Sequence, residues 1–114
     1  MKFGGASVKD AAAIRNVAAI ITQYQEQALL VVISAMDKTT NHLESLAYLA
    51  RDGKETEVKE QFAKIKRFHL KIVADLFGDK QAEVKSKVEA FLEKSSMLRA
   101  LETMGLRYAS SFYY

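Results

Sequence analysis

Two short stretches of this chain carry residues suited to holding charged oxygens. The first is Lys2-Phe3-Gly4-Gly5-Ala6-Ser7. It places a cation beside two residues without side chains, where backbone N–H groups can approach phosphate oxygens, and follows them with a hydroxyl. The second is Ser34-Ala35-Met36-Asp37-Lys38-Thr39-Thr40-Asn41. It holds three hydroxyls, an amide and a second lysine, which suit a carboxylate or another small anion. Side by side, two such loops describe a site for phosphates and a small polar substrate. Neither dinucleotide-binding G-x-G-x-x-G nor the P-loop G-x-x-x-x-G-K-[ST] is present.

The elements around these stretches are ones that bring loops together. Residues 1–3 read as a strand. Ser7 reads as a helix N-cap with Asp10 at the capping-box position, which also sets Ser7 at the positive end of the helix dipole. Ile14, Val17, Ala18 and Ile21 follow at helical spacing, predicting an amphipathic helix over residues 8–25. Residues 28–33 form an unbroken, β-branched-rich apolar run of strand length, the pattern of a strand covered on both faces in a parallel sheet. Strand, helix, strand makes a βαβ unit, and Ser34 then lies at a carboxyl strand end, where open α/β sheets bind ligands. Asn41 with Glu44 predicts the start of a second helix, whose apolar stripe is Leu43, Leu46, Ala47 and Ala50. Gly53 is its expected C-terminal cap.

From Glu55 the pattern changes. Val58, Phe62, Ile65, His69, Ile72 and Leu76 mark a long helix with a narrow seam. Gly78-Asp79 interrupts it. Val84, Val88, Phe91, Leu92, Leu98 and Leu101 carry a second long helix ending near Gly105. The pair reads as a helical hairpin. The expected organisation is thus a βαβ-α part over residues 1–54, the hairpin over 55–105, and an aromatic-rich segment over 106–114.

Composition narrows the function. The chain has 114 residues, 49% hydrophobic and 27% charged, which is ordinary for a globular domain. It has no proline, in keeping with long unbroken helices. The net charge of +3 comes from 17 basic residues interspersed with 14 acidic ones. A nucleic-acid binder clusters its basic residues on one face, so no nucleic acid is expected as partner. With no cysteine, disulfides, thiolate metal sites and cysteine nucleophiles are excluded. No run approaches the ~20 apolar residues of a membrane span, and nothing reads as a signal peptide, so the expected location is cytoplasmic, away from membranes. His42 and His69 lack metal-ligand spacing. His69 falls on the hairpin seam and reads as a packed histidine, and no metal site is expected in the protein itself.

Lys2-Phe3-Gly4-Gly5 and the eight residues from Ser34 to Asn41, in this order and separation, resemble the amino-acid kinase superfamily and, within it, the N-terminal part of aspartate kinases. Those begin with a strand followed by Lys-Phe-Gly-Gly-Thr-Ser-Val. About thirty residues later a valine-rich strand runs into Ser-Ala-Met-Gly-Lys-Thr-Thr-Asn or a close variant. The match is strong over residues 2–46, and the hairpin is similar to an insertion found in the family. The resemblance implies an α/β fold, part of a three-layer α/β/α sandwich. It implies ATP-dependent phosphorylation of L-aspartate to 4-phospho-L-aspartate, the first step towards lysine, methionine and threonine. It implies Lys2 as the catalytic lysine. Lys2, Gly4 and Gly5, with Ser7, would line the ATP phosphates. Ser34 and Thr40 would contact aspartate, and Mg2+ would arrive with the nucleotide.

The chain departs from that pattern at Ala6, where threonine is usual, and at Asp37, where glycine is common. A carboxylate at position 37 is expected to face solvent, away from phosphate. The family's Gly-Glu motif, the arginine that clamps the substrate carboxylate, the adenine pocket and the regulatory domains have no counterpart in these residues. The expectation is therefore an N-terminal fragment, inactive alone, that self-associates as a homo-oligomer. The alternatives are a non-catalytic α/β-plus-hairpin interaction module, or another superfamily member acting on a different carboxylate or carbamate.

Overall fold

A computed structural model describes residues 1–94 of the chain. They are mostly helical, with one small parallel sheet. The chain divides into two units, residues 1–40 and residue 41 onward.

In the first unit, β1 (Lys2–Phe3) and β2 (Val32–Ile33) pair in parallel, Lys2 opposite Val32 and Phe3 opposite Ile33. Val32 N–H donates to the Met1 carbonyl at 2.8 Å and Ser34 N–H to that of Phe3 at 2.9 Å. Between the strands lie a 3-10 turn (Gly5–Val8) and α1 (Ala11–Thr22). The predicted strand–helix–strand order is therefore present.

Phe3, Val8 and Val17 are buried together, with Ile14, Ile20, Ile21, Val31 and Met36 packed against them. Burying side chains of this size stabilises by about 1.5–3 kcal/mol each. The cluster clamps α1 to the strand ends and fixes where both loops begin.

Three local expectations are corrected. Ser7 does not cap α1. It lies in the 3-10 turn, and α1 starts three residues after the expected first helical position. The cap is Asp10, extended at φ −156° and ψ 178°, whose carboxylate accepts from Ala13 N–H at 2.8 Å. The ionised side chain suits the positive helix end better than a hydroxyl does. The second correction concerns residues 28–33. Only Val32 and Ile33 pair as strand, and Leu30, Val32 and Ile33 are 78%, 49% and 55% exposed. The partner strand has two residues, so the ladder stops there, and the described residues leave these side chains uncovered. The third is Ala18, exposed on α1, while Ala11 is buried in its place.

α2 (Thr39–Arg51) begins at the end of the first unit, and from Asn41 its residues belong to the second. It starts two residues before the expected Asn41, because Thr39 closes the preceding turn. Leu46, Ala47 and Ala50 are buried and Leu43 is half-buried, the predicted stripe. The helix ends in a Schellman motif, with Gly53 N–H bonded to the Ala50 carbonyl and Lys54 N–H to that of Leu49. Gly53 takes φ +71° there, a conformation glycine adopts at little cost.

α3 (Glu55–Phe77) and α4 (Gln81–Lys94) pack on each other across a 3-10 turn (Gly78–Lys80). This is the predicted hairpin. Val58 and Ile65 of the seam join Leu46 and Ala50 in one core, with Phe62 against it. His69 is half-buried and its Nδ1 lies 2.7 Å from the Ile65 carbonyl, so it is a packed, hydrogen-bonded histidine. Phe91 is corrected: it is 75% exposed, while Val84, Val88 and Leu92 are half-buried. A narrow seam accepts one row of side chains, and Phe91 falls beside it. The predicted continuation through Leu98 and Leu101 to Gly105, and the segment 106–114, lie outside the described residues. Among the described residues, no helix is long and apolar enough to cross a membrane.

Candidate functional site

The parallel register sets the loop after β1 beside the loop after β2. Lys2 and Phe3 alternate across the sheet: Phe3 is buried in the cluster under α1, and Lys2 is exposed on the opposite face. Ser34 follows β2 directly, and its N–H is tied to the Phe3 carbonyl. Lys2, Gly4 and Ser34 thus stand at neighbouring strand ends, and all three are exposed.

The two glycines differ in kind. A Cβ at Gly4 would meet nothing within 4 Å, and its φ of −76° suits any residue. Neither packing nor backbone conformation demands glycine there. The absent side chain leaves the strand end clear, next to Lys2, for an oxygen-rich group. Gly5 is required by packing. A Cβ there would stand 2.7 Å from the Asp37 carbonyl oxygen and 3.0 Å from that of Ala35. Asp37 N–H donates to the Gly5 carbonyl at 3.0 Å. The two loops therefore touch backbone to backbone.

Asp37 has φ +48°, a left-handed conformation unusual for a non-glycine residue. Its side chain is exposed, as expected from the sequence. The same geometry explains why glycine suits this position.

The two threonines have separate fates. Thr39 is buried, at 7% exposure, and its hydroxyl donates to the Met36 carbonyl at 2.6 Å. Thr40 is exposed, as are Lys38 and Ser34. A hydroxyl able to meet a ligand is therefore found at Thr40 and not at Thr39. The sequence set these residues together as hydroxyls suited to a carboxylate. The hint that separates them is Met36, an apolar residue inside a polar loop, which must turn inward. Ser7 is exposed within the 3-10 turn, without the helix-dipole role its predicted cap position implied.

The second unit carries an open groove of about 420 Å³ along α2, lined by Asn41, Glu44, Ser45, Tyr48, Leu49 and Asp52. It includes none of Lys2, Gly4, Gly5, Ser34 and Thr40. Among the described residues, no group of three or more His, Asp or Glu side chains is placed to hold a metal ion.

The model of the Amino acid kinase family matches residues 1–110, and the chain belongs to that family. It is 32% identical to Aspartokinase 2, chloroplastic, of Arabidopsis thaliana, over 98% of this chain and 21% of that protein. It is 32% identical to Aspartokinase 1, chloroplastic, over 98% and 20%, and 33% identical to Aspartokinase 3, chloroplastic, over 98% and 21%, both from the same plant. The chain spans about a fifth of the length of these relatives, and it fits the N-terminal part of an aspartate kinase. No solved structure matches it significantly.

Proposed function

We propose that this chain supplies the phosphate loop and part of the substrate loop of an aspartate kinase, which transfers the γ-phosphoryl group of MgATP to the β-carboxylate of L-aspartate. A carboxylate oxygen forms the new bond to phosphorus, the bond to the β-phosphate oxygen breaks, and ADP leaves with the electron pair. The products are 4-phospho-L-aspartate and ADP. Transfer of this kind depends on positioning and charge neutralisation. The two-stranded unit would sit in a larger three-layer α/β/α sandwich.

One observation carries the reading: an exposed lysine and an unencumbered glycine share a strand end with the hydroxyl-bearing end of the adjacent parallel strand. In this role the Lys2 ammonium meets charge on the transferring phosphoryl group. Backbone at Gly4 and Gly5 lines the phosphates, while Ser34 and Thr40 hydrogen-bond aspartate. Mg2+ bound to the nucleotide would neutralise charge between the β- and γ-phosphates. Ser7, displaced from the start of α1, contributes at most its hydroxyl.

The test is steady-state kinetics of ADP release in the full-length protein with L-aspartate. Lys2→Ala should lower kcat by about 10²–10³-fold, because its charge acts mainly in the transition state. Thr40→Ala should raise KM for aspartate and leave KM for MgATP nearly unchanged. Loss confined to aspartate KM in Lys2→Ala, or to ATP in Thr40→Ala, would overturn the assignment.

A further inference from the structure

Thr39 is the buried polar residue of the described core, and its two polar backbone and side-chain donors converge on one acceptor. Both its N–H, at 3.0 Å, and its hydroxyl, at 2.6 Å, donate to the Met36 carbonyl. This closes residues 36–39 into a tight turn. The turn is held on one side by the half-buried Met36, packed against the Phe3–Val8–Val17 cluster. It is held from the side by the Asp37 N–H bond to Gly5, where the backbones touch. Asp37 is kept at φ +48° within the same turn. A left-handed non-glycine residue persists where surrounding contacts over-determine it. The flanking residues of Thr39 are Lys38 and Thr40, both exposed.

We propose that Thr39 is a positioning residue for the carboxylate substrate: its bond to Met36 fixes the turn that presents Lys38 and Thr40, and so sets substrate affinity without touching the substrate. This rests on the reading of the loop as an aspartate-binding loop. The hydroxyl is committed to a carbonyl and lies out of water, so it has no free donor for a ligand. Removing it leaves the Met36 carbonyl with the backbone N–H alone and loosens the turn at its Thr39 end, where Lys38 and Thr40 are presented. The phosphate loop keeps its own anchors, the β1–β2 ladder and the burial of Phe3 and Val8. The effect should therefore fall on the carboxylate substrate and spare MgATP.

The test uses Thr39→Val, which keeps the branched shape and removes the donor, and Thr39→Ser, which keeps the donor. Thr39→Ala takes the place of Thr39→Val if that variant does not fold. In the full-length enzyme, Thr39→Val should raise KM for aspartate about tenfold, the loss expected for one hydrogen bond. Turnover and KM for MgATP should stay within about twofold, and Thr39→Ser should return KM towards the parent value. Amide hydrogen exchange at residues 37–40 should quicken in Thr39→Val and not in Thr39→Ser. An equal fall of all kinetic parameters with thermal stability, or no rescue by Thr39→Ser, overturns the proposal in favour of a purely structural role. If Thr40→Ala raises aspartate KM and Thr39→Val does not, this inference alone fails. If neither variant moves aspartate KM, the substrate-loop reading fails and this inference with it.

Discussion

Gly5 and Asp37 are in direct backbone contact. Asp37 N–H donates to the Gly5 carbonyl at 3.0 Å, and a Cβ built on Gly5 would lie 2.7 Å from the Asp37 carbonyl oxygen. The loops after the two strands are joined through this contact. It makes one structural object of two motifs about thirty residues apart in sequence.

Replacing Gly5 by alanine should destabilise the chain by about 1–3 kcal/mol, as overpacking against backbone does. Two carbonyl oxygens stand within 3.0 Å of the new Cβ, and neither is the end of a flexible side chain. Gly4→Ala should change stability by no more than about 0.5 kcal/mol, since its Cβ meets open space. Urea denaturation of both variants decides this, and equal losses would show that the loops are not in contact.

Asp37 offers a test of backbone strain. With φ at +48°, a β-branched residue is much worse placed than aspartate, and glycine is better placed. Asp37→Val should lower stability by more than about 1 kcal/mol. Asp37→Gly should be neutral or stabilising, the relief partly offset by glycine's greater unfolded-state freedom. A thermal melt in which valine is tolerated as well as glycine would contradict the left-handed assignment.

The second unit separates a core residue from an exposed aromatic. Leu46 is 1% exposed and Phe91 75%. Leu46→Ala should cost about 2–5 kcal/mol through lost burial and the cavity left behind. Phe91→Ala should lie within about 0.5 kcal/mol of the parent. Circular dichroism melts of the two variants suffice, and a large loss for Phe91→Ala would mean that it is covered in solution.

Helix termini give a further pair. Asp10→Ala removes the carboxylate that caps α1 through Ala13 N–H and should cost about 1 kcal/mol. Ser7→Ala, in the 3-10 turn, should cost less. Gly53→Ala places a Cβ in open space but at φ +71°, so its loss of about 1 kcal/mol would be conformational and not steric. If Ser7→Ala proves more harmful than Asp10→Ala, the start of α1 is wrongly assigned.

Much was legible in the residues themselves. Period 3.6 in Leu43, Leu46, Ala47 and Ala50, and the four-and-three spacing of the α3 seam, report which face must leave water, so the helices and the hairpin could be read directly. Gly53 announced its own cap, because few residues accept positive φ. Lys2, Gly4, Gly5, Ser7, Ser34 and Thr40 could be singled out as candidates from two motifs and the family they resemble, and the parallel register sets Lys2, Gly4 and Ser34 at neighbouring strand ends. What the residues could not disclose is what depends on neighbours distant in sequence. Asp10 and Ser7 are both good caps by type, and where the 3-10 turn ends decided between them. Gly4 and Gly5 are identical in sequence, and only the approach of the second loop makes one obligatory and leaves the other free. Thr39 and Thr40 are also identical, yet one hydroxyl is turned inward to a carbonyl and the other faces water. Burial follows from tertiary packing: adjacent residues at a helix start point different ways, and Thr39 is the one turned towards the Met36 carbonyl, beside the cluster that Met36 packs against.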